Sequence, residues 1–238
     1  HLYHRRQRQM CIRDRGIPDQ VMRLKYEVMN MANKEPQTFP DMIERFISKI
    51  IVDWPKNSDQ AGLFEMRCLG EHRKTVIQRF APDAVHDALD FAVRMNEAKL
   101  NIYMTINPID INASIRAGKG ATDTDILRAH YNFADADDEQ GLEGLTELST
   151  LIEPEMVIIT GTTPHQRQHG YWLLTEPCED LDLWRSKQVA IAARCGTDPS
   201  VVNPSRIMRV AGTVSYPNQA KQNKGYIPEL VNMHVRAE

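Results

Sequence analysis

From Asp41 to Val52 the apolar residues Met42, Ile43, Phe46, Ile47, Ile50 and Ile51 recur at steps of three and four, which predicts one helical stripe. Pro55 and Asn57-Ser58 end it. Pro82 marks a second helix start, and Val85, Ala88, Leu89, Ala92 and Met95 keep one apolar face up to Lys99. Leu100–Ile106 is rich in β-branched and aromatic residues and reads as a strand. Asn107–Thr124, with Gly118, Lys119 and Gly120, reads as a mobile loop. An ordered series follows. His130–Asp137 reads as a strand and Glu139–Leu151 as a helix weakened by Gly141 and Gly144. Met156–Thr160 and Gly170–Leu174 read as strands, and Asp180–Arg194 as a helix. Gly225–Val235 reads as a last strand. The β-α-β-β-α order over residues 130–195 is that of a split βαβ, RRM-like sheet, so the expected class is α+β. Residues 16–59 form an N-terminal helical segment in this reading, and 60–238 the core.

A chain of 238 residues with 42% apolar positions can bury about 70% of the surface it exposes when unfolded. Its longest uncharged apolar run falls far short of the roughly 18–20 residues of a membrane span, so no membrane partner is expected. Cys11, Cys68, Cys178 and Cys195 lie far apart without a C-x-x-C pair, which argues against a zinc knuckle or a disulfide framework and for a reducing, cytoplasmic setting. The first fifteen residues are Arg-rich and aperiodic, and no secretory apolar segment follows them. Gln9-Met-Cys-Ile-Arg-Asp-Arg15 resembles the translation of a transposon-end sequencing adaptor, so residues 1–15 are read as a disordered artefact. With them the balance is 29 basic to 32 acidic side chains; without them it is 24 to 31. Overall charge therefore gives no argument for nucleic acid. Only local charge could: ten acids and one base crowd residues 123–155, whereas 203–238 hold five bases and two acids, a segregation that ordinary solvated surface would equally explain. A polyanion carrying divalent metal could bridge such halves.

Three segments carry candidate chemistry. In Tyr131-Asn-Phe-Ala-Asp135-Ala-Asp137-Asp138 an apolar strand runs into D-x-D, and the period of two puts Asp135 and Asp137 on one face. Two such carboxylates repel unless a cation lies between them, and Mg²⁺ binds through one or two carboxylates plus substrate phosphates. An EF-hand loop is excluded, because Gln140 stands where its glycine must fall. In Thr160-Gly-Thr162-Thr163-Pro-His165-Gln-Arg167-Gln-His169 a small hydroxyl-rich loop joins two strands. Its N–H groups and hydroxyls suit phosphate oxygens, and His165, Arg167 and His169 add donors. The third segment sets Asp198 after a helix, then Arg206-Ile-Met-Arg209-Val-Ala-Gly212-Thr213 and Tyr216-Pro-Asn218. Taken singly, an acidic strand end, a solvated histidine, an Asp-Pro turn or a surface arginine would each be unremarkable.

Their order and spacing resemble the archaeo-eukaryotic primase superfamily, in particular the primase-polymerases and RepB-like primases of plasmids and phages. That family carries an apolar strand ending in D-x-D/E, then S/T-x-H before a strand, then an acid followed by R-x-x-R-x-x-G-T. The chain departs at Arg167, two before His169, where Ser or Thr is usual, and it shows no zinc-binding stem. The resemblance implies a primase catalytic core, with an RRM-like mixed sheet flanked by helices and an N-terminal α/β unit. It implies template-directed nucleotidyl transfer, making and extending primers. Asp135, Asp137 and Asp198 would be catalytic and would hold two Mg²⁺ or Mn²⁺ ions. Thr162, Thr163, His165, Arg167, His169, Arg206 and Arg209 would bind the nucleoside triphosphate or the backbone of a single-stranded DNA template. A helicase domain or protein is a further implied partner.

Two other classes compete. A replication initiator could keep the fold to bind DNA without polymerising, though binding alone needs no three converging acids. A metal-dependent glycosyltransferase shares the apolar D-x-D but needs neither Asp198 nor the paired arginines.

Overall fold

The computed structural model describes residues 35–55 and 62–236, so the adaptor-like residues 1–15 and residues 16–34 and 56–59 of the N-terminal segment lie outside the described part. The amphipathic stripe becomes α1 (Pro40–Ile50), which buries Ile43, Phe46, Ile47 and Ile50. Pro40 stands in its first turn, where an N–H would have no helical partner anyway. A first sheet follows, built from β1 (Gly62–Leu69), β2 (Val76–Phe80), β3 (Asn101–Thr105), the short β4 (Ile109–Asp110) and β8 (Ile207–Arg209). Its order is β2-β1-β3-β8, with every pair antiparallel and β4 also paired to β1. The second helix, α2 (Val85–Glu97), buries Ala88, Phe91 and Ala92 in the same core as α1.

The second sheet contains β5 (Ala129–Ala136), β6 (Met156–Gly161), β7 (Arg167–Cys178) and β11 (Asn232–Val235), in the order β11-β6-β7-β5. Both β5 and β6 run antiparallel to β7, so they share a direction with β7 inserted between them. With α3 (Glu139–Leu151) joining β5 to β6, this is the split βαβ unit expected from the sequence. After β7 comes α4 (Leu181–Cys195), capped by the Asp180 side chain at the Leu183 N–H. The short elements β9 (Val214–Ser215), α5 (Gln219–Gln222) and β10 (Glu229–Leu230) complete the chain, with β9 and β10 paired. Two sheets, antiparallel in every pairing, flanked by helices make an α+β fold.

β5 is an edge strand, and α4 closes that edge with side chains. Trp184 Nε1 donates to the Tyr131 carbonyl at 2.9 Å. The Gln188 amide spans Phe133, accepting from its N–H at 3.2 Å and donating to its carbonyl at 2.9 Å. One step further along, the Asp198 N–H reaches the Asp135 carbonyl at 3.2 Å. An open strand edge is thereby satisfied without another strand, and the turn after α4 is drawn to the acidic end of β5. Gly144 lets α3 approach α4, because a Cβ there would run into the Cys195 carbonyl. The glycine that weakens the helix by propensity is thus the one its packing needs.

The structure corrects three expectations. Residues 62–80, for which no element was expected, form two strands. Residues 107–124 are tied down. Fully buried Glu65 pairs with Arg67 and Arg79, at 2.6 Å each, and accepts the Ala121 N–H at 3.2 Å. Arg67 and Arg79 in turn donate to the carbonyls of Ala121 and Lys119 at 2.8 and 2.6 Å. β7 is also longer than Gly170–Leu174 and begins at Arg167, so Arg167 and His169 stand on a strand. Cys68, Cys178 and Cys195 are free thiols, and no helix among the described residues is long and apolar enough to cross a membrane.

Candidate active site

The alternation along β5 places Tyr131 and Phe133 in the main core, and Ala134 and Ala136 under α3. Asp135 continues the first face. Its register partner on β7 is His169, so the two side chains meet across the strands with His169 Nε2 3.5 Å from Asp135 Oδ1. That distance is too long for a hydrogen bond, and Asp135 Oδ1 is buried with no partner. Burial is the main force pushing the Asp135 carboxyl up to about 6. Arg206 opposes it, Asp198 adds to it, and Arg209 and Lys221 oppose it to a smaller degree. Asp137 lies one residue beyond the strand and is exposed. Desolvation by the cleft walls, then repulsion by Asp135, raises its carboxyl as well.

His169 is buried, and that pushes its imidazole down to about 3 against the pull of Asp137. It is neutral at pH 7, so it can offer a hydrogen bond but no charge. Its Nδ1 lies 3.2 Å from the Tyr171 hydroxyl.

Asp135, Asp137, Arg167, His169, Arg206 and Arg209 all line one cleft of about 630 Å³ between the two sheets. Arg209 is splayed on β3: its guanidinium donates to Asn101 Oδ1 at 2.8 Å and the Tyr103 hydroxyl at 2.7 Å, and lies over the Tyr103 ring at 4.7 Å. Arg206 reaches Ser200 Oγ at 3.3 Å and Asp198 at 3.7 Å. Asp198 is beside Asp135 through the backbone, but its carboxylate takes the Ser200 N–H and hydroxyl, both at 2.8 Å.

The expected phosphate loop is differently engaged. Thr162, Thr163 and His165 are not among the cleft-lining residues. Thr162 donates its N–H and hydroxyl to Glu229 at 2.8 and 2.7 Å, and Arg167 pairs with Glu229 at 3.1 Å. His165 Nε2 donates to the Asp137 carbonyl at 2.7 Å. Sequence reasoning missed Glu229. It also missed Lys221, an exposed ammonium that lines the cleft 5.4 Å from the Tyr226 ring and lowers the pKa of both Asp135 and Asp137. The basic stretch 203–238 was the available signal for Lys221.

Among the described residues no group of three or more His, Cys, Asp or Glu side chains is gathered to hold a metal ion. The fit rests on two carboxylates. Asp135 presents an unpartnered buried oxygen, and Asp137 repels it from the same cleft. A divalent cation completed by substrate phosphates answers both.

No protein-family model and no curated protein sequence matches the chain. Solved structures do. The AEP domain of the cyanophage S-2L primase-polymerase superposes with a TM-score of 0.55 at 20% identity, covering 84% of this chain and 91% of that one. Primase RepB′ superposes with a TM-score of 0.54 at 13% identity, covering 81% of this chain and 56% of that one. Two antiparallel sheets, one of them a split βαβ unit, and a cleft between them that receives the acidic strand end therefore give this chain the fold of the archaeo-eukaryotic primase catalytic core.

Proposed function

We propose that the protein is a DNA primase-polymerase that transfers nucleotides to a primer on a single-stranded template. The observation that carries this reading is the buried, unpartnered Oδ1 of Asp135 beside Asp137 in a cleft lined by Arg206, Arg209 and Lys221. Carboxylates and cations facing one another across a cleft suit a metal-bearing triphosphate. In the reaction the primer 3′-oxygen bonds to the α-phosphorus of the incoming nucleotide while the bond to pyrophosphate breaks. Asp135 and Asp137, with Asp198, would hold Mg²⁺ or Mn²⁺, which supplies charge neutralisation at the attacking and leaving oxygens. Arg206, Arg209 and Lys221 meet the remaining phosphate charge. Neutral His169 orients the substrate by hydrogen bonding and packs against Asp135. Arg167 lines the cleft, and Thr162, Thr163 and His165 stand behind it in the turn whose His165 meets the Asp137 carbonyl. Such chemistry depends on positioning and on preorganised charge.

A non-catalytic replication initiator is the second reading. The engagement of the Asp198 carboxylate by Ser200 and Arg206 favours it. Incorporation of labelled ribo- and deoxynucleotides on single-stranded templates, with Mg²⁺ or Mn²⁺, separates the two. Incorporation that is lost in Asp135→Ala and Asp137→Ala supports the polymerase. A wild-type protein that binds single-stranded DNA and incorporates nothing supports the initiator.

A further inference from the structure

Glu229 opens β10 and belongs to none of the three sequence segments, yet its carboxylate receives four donors. Oε1 accepts from the Thr162 N–H at 2.8 Å and the Thr162 hydroxyl at 2.7 Å. Oε2 accepts from Arg167 Nη2 at 3.1 Å and the Thr163 N–H at 3.4 Å. The Glu229 and Arg167 side chains are 14% and 7% exposed, so this is a largely desolvated pair. The turn is shaped around it: a Cβ on Gly161 would strike the Arg167 guanidinium and lie 2.6 Å from Glu229 Oε2. Arg167 spends its remaining reach on the turn itself, donating Nη1 to the Thr163 carbonyl at 2.8 Å and the His165 carbonyl at 3.1 Å.

Paired N–H groups next to a guanidinium are donors that would suit a phosphate. Here an internal anion already satisfies them. The closed turn then carries His165 to the Asp137 carbonyl, 2.7 Å away, just past the end of β5. We infer that Glu229 is a positioning residue. Its carboxylate is the permanent anion of the β6–β7 turn, and through His165 it holds the backbone at Asp137 in place. The consequence for catalysis rests on the polymerase reading, in which Asp137 is a metal-holding acid. The consequence for the turn does not.

The test uses the full chain carrying Glu229→Ala, Glu229→Gln or Glu229→Asp. Three quantities are measured: amide hydrogen exchange at Thr162 and Thr163, equilibrium binding of dATP with Mn²⁺, and the kcat and KM of incorporation. Glu229→Ala should speed exchange at both amides more than about tenfold, since an unpaired turn opens freely. It should lower kcat about tenfold or more, as small misplacements of a reacting group do, and leave dATP affinity within about threefold. Glu229→Gln keeps an oxygen for Thr162 and should retain most of kcat. Glu229→Asp is too short to span both donors and should lose it. If Glu229→Ala fails to fold by circular dichroism, the contrast between Gln and Asp decides. Tighter dATP binding with kcat intact would overturn the inference, making Glu229 a plug that competes with phosphate. Unchanged exchange would overturn it too, as would lost protection with kcat unaltered. A wild type that incorporates nothing would defeat the polymerase reading, while the exchange measurements would still decide whether Glu229 sets the turn.

Discussion

Replacing Asp135 with Asn removes a charge from the cleft and leaves its shape almost untouched. The Asp135 side chain is 16% exposed, and burial lifts its carboxyl from 3.8 to about 6. His169 beside it is neutral and offers no compensating charge. The folded protein therefore binds the Asp135 proton more tightly than the unfolded chain does. Between about pH 4 and pH 6 the native state holds more protons, so this group's contribution to stability falls as pH rises. Above about pH 6 the whole cost of the ionised carboxylate is present, about 3 kcal/mol. Below about pH 4 both states are protonated and the cost vanishes. Without divalent metal, Asp135→Asn should be more stable than wild type by ~1–3 kcal/mol at pH 7.5, with the gain shrinking to nothing near pH 4. Urea titrations across that range measure it. Mn²⁺ should then stabilise wild type above pH 6, and Asp135→Asn much less, since a ligand that binds only the folded state adds stability by mass action. Equal stabilities at pH 7.5, or a difference constant from pH 4 to 8, would refute the account of a desolvated carboxylate awaiting a cation.

Three further outcomes are expected. Lys221→Ala should weaken nucleotide binding about tenfold, as loss of one charge-assisted contact does, and Lys221→Arg should restore most of it in the same titration. The His169 imidazole should stay neutral down to about pH 4 in an NMR titration of the metal-free protein, because burial holds its pKa near 3; a midpoint near 6 would contradict that burial. Gly144→Val should destabilise the fold by ~1–3 kcal/mol in thermal or urea unfolding by forcing α3 away from α4, with the α3 amides losing exchange protection first.

Periodic burial explains which elements could be read along the chain. In α1 one stripe meets the core and the other face meets water, so Ile43, Phe46, Ile47 and Ile50 announce a helix. In β1 Phe64, Glu65, Met66, Arg67 and Cys68 alternate apolar and charged, the pattern of a half-buried strand, so this element was legible although no strand was expected there. What the pattern hides is the burial of Glu65, because a glutamate at a fully buried position only makes sense once Arg67, Arg79 and the Ala121 N–H have been brought to it. The same long-range contacts turn 107–124 from a glycine-marked loop into a fastened one. Local sequence gives no sign of partners forty or fifty residues away.

At the cleft, legibility divides along the same line. Asp135 on β5 and Asp137 just past its end are two residues apart, so a shared face follows from the alternation of an extended chain. His169 also follows, once β5 and β7 pair in the register that sets it opposite Asp135. Thr162, Thr163 and Arg167 were read from their chemistry as phosphate donors, and that chemistry is present. What the sequence could not show is that an acid more than sixty residues later supplies the anion. A carboxylate and a phosphate satisfy the same N–H groups and the same guanidinium, so local composition cannot tell an anion-binding turn that awaits substrate from one filled by its own chain. Only the path of β10 back to β6 decides it. Lys221 shows the converse. A lysine in a polar segment carries no motif, and it becomes a functional candidate because α5 and the Tyr226 ring leave its ammonium at the cleft facing Asp135 and Asp137. The cations facing the acidic pair in space are therefore Arg206, Arg209 and Lys221, while Arg167, closer in sequence to His169, is held by Glu229.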